Sequence, residues 1–269
     1  MGQLGMTTWV DPVYKIYDFI AAAAQMGFSY IEIKTDYPLT TLIPNEKFRI
    51  RIKQLLETFK VKPIVHAPYY DVNISSLNSK VRKASIESVI DSIKFAHDIG
   101  AKIVTLHPGN LPSDYSPSYY LENACAALKD SLFEIIKVAS EYSVIIGLEN
   151  KQKSKNHQII WTPEDHLYFV EGLSSKWLKI TYDVGHAFTV GNDVVSYFKK
   201  THMYIVNLHI HDNHGESDEH LVPGSGNINF HELVDVLKKY NYGGPIILEV
   251  KSISGLQRAK VFMNSLGIF

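Results

Sequence analysis

Cysteine is nearly absent from this chain. One residue, Cys125, stands among 269, which excludes an intramolecular disulfide and any zinc site built on thiolates. Its setting, "ENACAALKD", has helical spacing, so Cys125 is expected as buried filler rather than as a nucleophile. Long apolar runs are lacking too. No stretch is long enough to span a bilayer and no secretory leader is recognisable, so the expectation is a soluble, cytoplasmic protein. Neither sign of charge dominates. Lys and Arg total 27 against 28 Asp and Glu, a net charge of −1. No overall field therefore favours nucleic acid, although a local basic patch is compatible with these totals. Linkers, charge blocks and low-complexity segments are also missing, and one domain over residues 1–269 is expected. The first turn lacks a G-x-G-x-x-G phosphate loop, which counts against an open, doubly wound sheet.

What the chain does have is alternation. Short apolar, β-branched runs read as buried parallel strands: "GQLGMTTW", "FSYIEIK", "VKPIVH", "KIVTLH", "SVIIGLE", "LKITYD", "YIVNLHI" and "PIILEV". Longer stretches with helical spacing lie between them, among them "VYKIYDFIAAAAQMG", "VRKASIESVIDSIKFAHDIG", "LENACAALKDSLFEIIKVASEY" and "FHELVDVLKKYN". Gly27 and Gly100 sit where helix-ending glycines belong. Thr162-Pro163-Glu164 reads as a helix start, with Thr as cap and Pro in the first turn. Eight strands alternating with helices over this length predict a (β/α)8 TIM barrel.

Ligand-type residues recur at one place in this pattern. From the third strand onward the strand ends carry His66, His107, Glu149, Asp183, His209 and Glu249. His186 follows Asp183 by three residues, and the loop after His209 carries Asp218 and His220. In a barrel these ends converge on one mouth, where chemistry is done. His66 and His107 each precede a turn and could simply hydrogen-bond it. Glu149, Asp183 and Glu249 end strongly apolar runs, where a buried carboxylate is costly unless paired or metal-bound. No Arg stands at these ends and several imidazoles do, so metal ions are the economical counter-charge. Five histidines among nine candidates favour zinc. Nine candidate ligands are too many for one ion and suit two or three.

The segments "HAPYYDVN", "LHPGN", "GLEN", "YDVGHAFTVG", "LHIHDN…DEHLVPGSGNINF" and "GGPIILEV" resemble, in order and spacing, the endonuclease IV and xylose isomerase-like TIM barrel superfamily, over about residues 60 to 250. The ligand set is most similar to that of abasic-site endonucleases. By that resemblance His66, His107 and Glu149 would hold one zinc. Glu149 would bridge to a second, held also by Asp183, His209 and Glu249, and a third would take His186, Asp218 and His220. His211 and His214 have no counterpart as ligands. Other segments depart from the endonuclease pattern: "NKQKSKN" follows Glu149, and "YIEIKTDYP" looks more like the sugar isomerases and epimerases.

Two mechanisms follow. In the first, hydroxide between zinc ions attacks a phosphodiester at an abasic site in DNA. Lys151, Lys153 and Lys155 would lie on the rim for phosphate contacts, and Tyr69 and Tyr70 would wedge into the duplex. In the second, one Mn²⁺, Co²⁺ or Mg²⁺ on Glu149, Asp183, His209 and Glu249 serves a sugar or sugar-phosphate isomerase or epimerase. There Glu149 and Glu249 move protons as base and acid, His186 touches a hydroxyl, the basic loop holds a phosphate and Trp9 packs on the sugar. The first reading ranks ahead because it employs His66, His107, Asp218 and His220. A barrel that only binds ligand is the third reading, and the complete ligand set argues against it.

Overall fold

Strand and helix alternate along the whole chain in the computed structural model, which describes residues 2–8, 16–111, 117–155 and 158–269. The order is β1 (Gln3–Thr7), α1 (Ile16–Gln25), β2 (Tyr30–Lys34), α2 (Glu46–Phe59), β3 (Lys62–His66), α3 (Ser79–Ile99), β4 (Ile103–Leu106), α4 (Pro117–Tyr142), β5 (Ile145–Glu149), α5 (Pro163–Leu173), β6 (Leu178–Asp183), α6 (Val184–Thr189), α7 (Val194–Thr201), β7 (Ile205–Ile210), α8 (Phe230–Lys239), β8 (Pro245–Leu248) and α9 (Ile253–Ser265). The strands pair in chain order, and β8 returns to β1 to close the barrel. Every described pair of strands is parallel. The expected TIM barrel is the observed fold.

Local chemistry sets the element ends. Thr162 caps α5 by accepting from the Asp165 N–H, Asp165 reciprocates, and Pro163 fills the first turn. Gly100 closes α3 with φ 86°, and Gly27 follows α1 with φ 68°. These conformations suit a residue without a Cβ. α4 begins at Pro117, ahead of the "LENAC" stretch where the periodicity becomes legible.

Because side chains alternate along a strand, each strand sends one set inward and one outward. Leu4, Met6, Ile31, Ile33, Val65, Val104, Leu106, Ile146, Leu148, Ile180, Tyr182, Leu208, Ile210, Ile246 and Leu248 are buried and form the outer core against the helices. The inward set is largely polar, with Ile64 and Ile247 among it. Glu32, Thr105, Thr181 and Asn207 are buried and linked: Thr105 Oγ1 lies 3.2 Å from Thr181 Oγ1, and Asn207 Nδ2 lies 3.3 Å from both Thr105 Oγ1 and Glu32 Oε2. One register shift interrupts the ladder. Ile180 pairs with Ile205 but Thr181 pairs with Asn207, so a bulge at Val206 brings Asn207 and His209 onto the inner face.

Gly147 lets β5 and β6 close over this layer, since a Cβ there would stand 2.3 Å from Thr181 Oγ1. Gly147→Val should therefore lower stability by about 1–3 kcal/mol through overpacking, read as a fall of several degrees in thermal midpoint. An unchanged midpoint would contradict this packing.

Candidate metal centre

Two residues further along each strand, the inner face carries the ring read from the sequence. All nine expected ligands meet at the mouth. His107 Nε2 and His66 Nε2 lie 2.9 and 3.4 Å from Glu149 Oε2. His209 Nδ1 lies 3.1 Å from Glu149 Oε1 and 3.7 Å from both Asp183 Oδ2 and Glu249 Oε1. His186 Nε2 and His220 Nε2 lie 3.3 and 3.1 Å from Asp218 Oδ2.

The far side of each imidazole decides which nitrogen faces the ring. His66 Nδ1 donates to the Ala67 carbonyl (2.7 Å), His186 Nδ1 to that of Asn150 (2.8 Å) and His220 Nδ1 to that of Glu249 (3.0 Å). A carbonyl only accepts, so Nδ1 keeps its proton and Nε2 is left to bind a cation. The turn contact expected for His66 is thus real, and it serves the ligand role. His209 is reversed: Nε2 meets Glu32 Oε2 at 2.8 Å and Nδ1 faces the carboxylates. His107 differs from all of these. Its Nδ1 lies 3.1 Å from the Lys151 ammonium, which only donates, so the ring proton sits on Nε2. The His66–His107–Glu149 group therefore suits an ion least well.

Glu149 Oε1, Asp183 Oδ2 and His209 Nδ1 are grouped closely enough to hold one ion, and Glu249 Oε1 stands beside them, 3.7 Å from His209 Nδ1. Ligands bound about 2.1 Å from a common ion stand roughly 3.0–3.5 Å apart, so Asp183 and Glu249 would have to close in on an ion held by Glu149 and His209. Asp183 Oδ2 and His66 Nε2 are buried without a hydrogen-bond partner among the described residues, while Glu249 Oε1 and Glu149 Oε2 face the Lys34 ammonium at 3.2 Å and His107 Nε2 at 2.9 Å. Buried polar atoms are rarely left unpartnered, and a divalent cation would satisfy Asp183 Oδ2 and His66 Nε2. Asp183 can serve because its other oxygen, Oδ1, caps α6 by accepting from the His186 N–H at 2.6 Å. Asn150 ties the ends of β5 and β6 together, donating to the Asp183 carbonyl (2.8 Å) and accepting from the Asp183 N–H (2.9 Å).

A second group comprises His186, His211, Asp218 and His220. His211 is fully buried, and its ring stacks on that of His220 with centroids 4.0 Å apart. Its Nε2 lies 3.2 Å from Asp183 Oδ1 and 3.5 Å from Asp218 Oδ1. A surface role for His211 is excluded, and His214 alone of the pair is exposed. Gly185 makes the room, since a Cβ there would stand 2.0 Å from His211 Cε1. The loop that returns Asp218 and His220 is held by buried Asp212, whose carboxylate accepts from the N–H groups of Asn213, Gly224, Gly226 and Ile228.

The expected substrate contacts divide. Tyr69 lines the mouth, its ring stacked on His107 at 4.9 Å and under the Lys34 ammonium at 5.4 Å. Asp36 Oδ1 accepts from the N–H groups of Tyr69 and Tyr70, fixing that turn. Tyr70 is exposed. Lys151 was expected on the rim, but it is buried in the mouth because its side chain folds back to His107. Lys153 does lie on the rim, paired with Glu216 at 3.0 Å; Lys155 is exposed. Trp9 lies outside the described residues.

Glu32 and Lys34 join the site unannounced. Lys34 Nζ stands 3.2 Å from Glu249 Oε1, so one largely covered lysine supplies part of the counter-charge that metal alone was expected to provide. Both residues sit on the inward face of "YIEIK", and the strand-end pattern extended back by one strand reaches Lys34. Burial raises the Glu149 pKa, but the His107 and His209 imidazoles outweigh it and hold the carboxyl well below its usual range. Burial acts likewise on Glu249, which Lys34 and His209 pull down to about 2. Burial with the Lys151 charge lowers His107 to about 3. For His186 burial lowers the pKa, but Asp183 and Asp218 prevail and raise it to about 10. His209 is raised well above its usual value, Glu32, Glu249 and Glu149 outweighing burial.

Protons thus hold the places a cation would take. Because His186 and His209 have raised pKa values before an ion binds, they are protonated at neutral pH, and loading must displace those protons. Titration with Mn²⁺ in buffers of different ionisation enthalpy should show net proton release and an affinity that rises with pH. Zero release would contradict the assignment. Glu32→Ala should weaken Mn²⁺ binding by roughly 10- to 100-fold, as losing a carboxylate behind a ligating His does. An unchanged dissociation constant would remove Glu32 from that role.

Residues 20–267 match the profile of the xylose isomerase-like TIM barrel family. An uncharacterized protein of Methanocaldococcus jannaschii is 38% identical over 217 residues, 79% of this chain and 72% of that protein. The L-ribulose-5-phosphate 3-epimerase UlaE of Escherichia coli is 23% identical over 237 residues, 86% of this chain and 80% of that enzyme. Among solved structures, a D-tagatose 3-epimerase-like protein superposes with a TM-score of 0.89 at 32% identity, covering 98% of this chain and 96% of the other. With the barrel, its ligand ring and a match over nearly the whole length in agreement, this chain belongs to the xylose isomerase-like TIM barrel family.

Proposed function

We propose that this protein is a divalent-metal-dependent epimerase or isomerase of a ketose, acting at the carbon beside the carbonyl. The observation that carries the reading is the gathering of Glu149 Oε1, Asp183 Oδ2 and Glu249 Oε1 around His209 Nδ1. The epimerases among its relatives support it. The hydrolytic reading ranked first on sequence gives way to its alternative. An endonuclease needs cations presented to a phosphate backbone, whereas Lys151 is buried and Lys153 is committed to Glu216. DNA repair, and abasic DNA as a partner, lose their support with it.

Glu149 and Glu249 come from β5 and β8, on different sides of the barrel, and are the pair that moves protons. Glu149, Asp183, His209 and Glu249 would hold a divalent ion, which would supply Lewis-acid polarisation of the substrate carbonyl. Glu149 takes the proton from the carbon beside that carbonyl, and Glu249 returns one from the other side. Lys34 holds Glu249 in place through their ion pair. His186 contacts a neighbouring hydroxyl. Tyr69, stacked on His107, closes one wall and keeps water from the carbon while it is deprotonated. His66 and His107 are not idle in this reading, because they stand against the second oxygen of Glu149.

Incubation of the Mn²⁺-loaded protein with ketoses in D₂O should give deuterium at the carbon next to the carbonyl, read by NMR. Glu149→Gln and Glu249→Gln should each lower that exchange by about 10²–10⁴-fold while keeping the fold by circular dichroism. Exchange at the wild-type rate in both variants, or nicking of abasic DNA with no exchange in any ketose, would overturn the reading.

A further inference from the structure

We propose that Lys151 is the seat for an anionic group on the substrate, a phosphate or a carboxylate remote from the reacting carbon. This rests on the epimerase reading of the same site. Three lysines border the mouth, and they are differently engaged. Lys34 is ion-paired with Glu249, and Lys153 with Glu216. Lys151 is buried, yet among the described residues it makes no ion pair. Its one side-chain hydrogen bond runs to His107 Nδ1 at 3.1 Å. An ammonium carries three N–H donors, so a neutral imidazole uses one and leaves the charge uncompensated.

A buried cation without a counter-ion is costly. Burial lowers the Lys151 pKa and Lys34 adds to that, so the ammonium is held only by the more distant carboxylates of Glu149, Asp218 and Asp183, and these are candidate ligands. A divalent ion taking them up weakens the field that holds the ammonium, so the loaded site needs an anion more, not less. A sugar hydroxyl would satisfy the remaining N–H groups but not the charge. The position also fits. The Lys151 N–H donates to the Ile160 carbonyl at 2.8 Å, which fixes the residue just past β5. One residue, Asn150, separates Lys151 from Glu149, at most about 7 Å between Cα atoms, a span that a five- or six-carbon sugar bridges. Tyr69, against His107, lines the path between them.

The test compares a ketopentose, its 5-phosphate and the corresponding keto acid, binding each to the Mn²⁺-loaded wild-type protein and to Lys151→Met and Lys151→Arg, by calorimetry. One charge-assisted hydrogen bond corresponds to a preference of about tenfold or more. The wild type should prefer the phosphate or the keto acid over the neutral sugar by that factor, and the better of the two names the anion. Lys151→Met should bring the preference close to one, Lys151→Arg should keep it, and both should retain wild-type Mn²⁺ stoichiometry. Equal affinity for charged and neutral forms in the wild type overturns the proposal, as does a preference that survives Lys151→Met, since the metal would then be its source. Turnover is scored separately: ketoses epimerised without an anion preference refute the Lys151 assignment alone. A Lys151-dependent preference without epimerisation supports it and refutes the epimerase reading.

Discussion

The imidazole of His209 stands between Glu32, which meets its Nε2, and three further carboxylates, which gather about its Nδ1. Burying four acids around one ring is tolerable only with positive charge among them. Lys34 and protonated histidines meet part of that demand, and a divalent cation meets it better because it can contact several oxygens at once. The tautomer choice propagates outward. Glu32 points Nδ1 at the centre, Asp183 caps α6 with one oxygen and keeps the other for the centre, and Asn150 locks the two strand ends that carry Glu149 and Asp183.

The barrel makes this possible by stacking polar layers where a smaller fold would need apolar filling. The layer of Glu32, Thr105, Thr181 and Asn207 is hydrogen-bonded internally and supports the ligand layer above it. Glu32 and Asn207, below the mouth, contact His209 directly, so substitutions there should act on the site through His209. The loop after β7 adds His220 and Asp218 from above, organised by the Asp212 carboxylate rather than by packing.

Much of this was legible in the chain. Strand and helix period predicted the barrel, and apolar runs ending in His, Asp or Glu pointed to six of the nine mouth residues, because burial of a charged group at a strand end is a local pattern; His186, Asp218 and His220 came from the segments that follow those ends. What was not legible is pairwise. Glu32 reads as one charge in an ordinary strand until the closed barrel brings β7 across to it. His211 shows no ligand counterpart in the sequence, and only the space left by Gly185 reveals how closely it packs against the site. Lys151 reads as one of a basic run, and only its turn back to His107 separates it from Lys153 and Lys155. The two substrate readings could not be ranked correctly by sequence for a related reason: the ligand set is compatible with both chemistries, while the loops that distinguish them carry no periodicity to read, and the comparisons favour the second.

Everything here depends on a cation among Glu149, Asp183, His209 and Glu249. Anomalous diffraction from crystals of the Mn²⁺-loaded protein tests that directly. The account predicts a manganese peak within bonding distance of Glu149 Oε1, Asp183 Oδ2, His209 Nδ1 and Glu249 Oε1, with Glu32 still on His209 Nε2. Density showing those four atoms bonded to one another or to water, with manganese elsewhere or nowhere in the barrel, would contradict it.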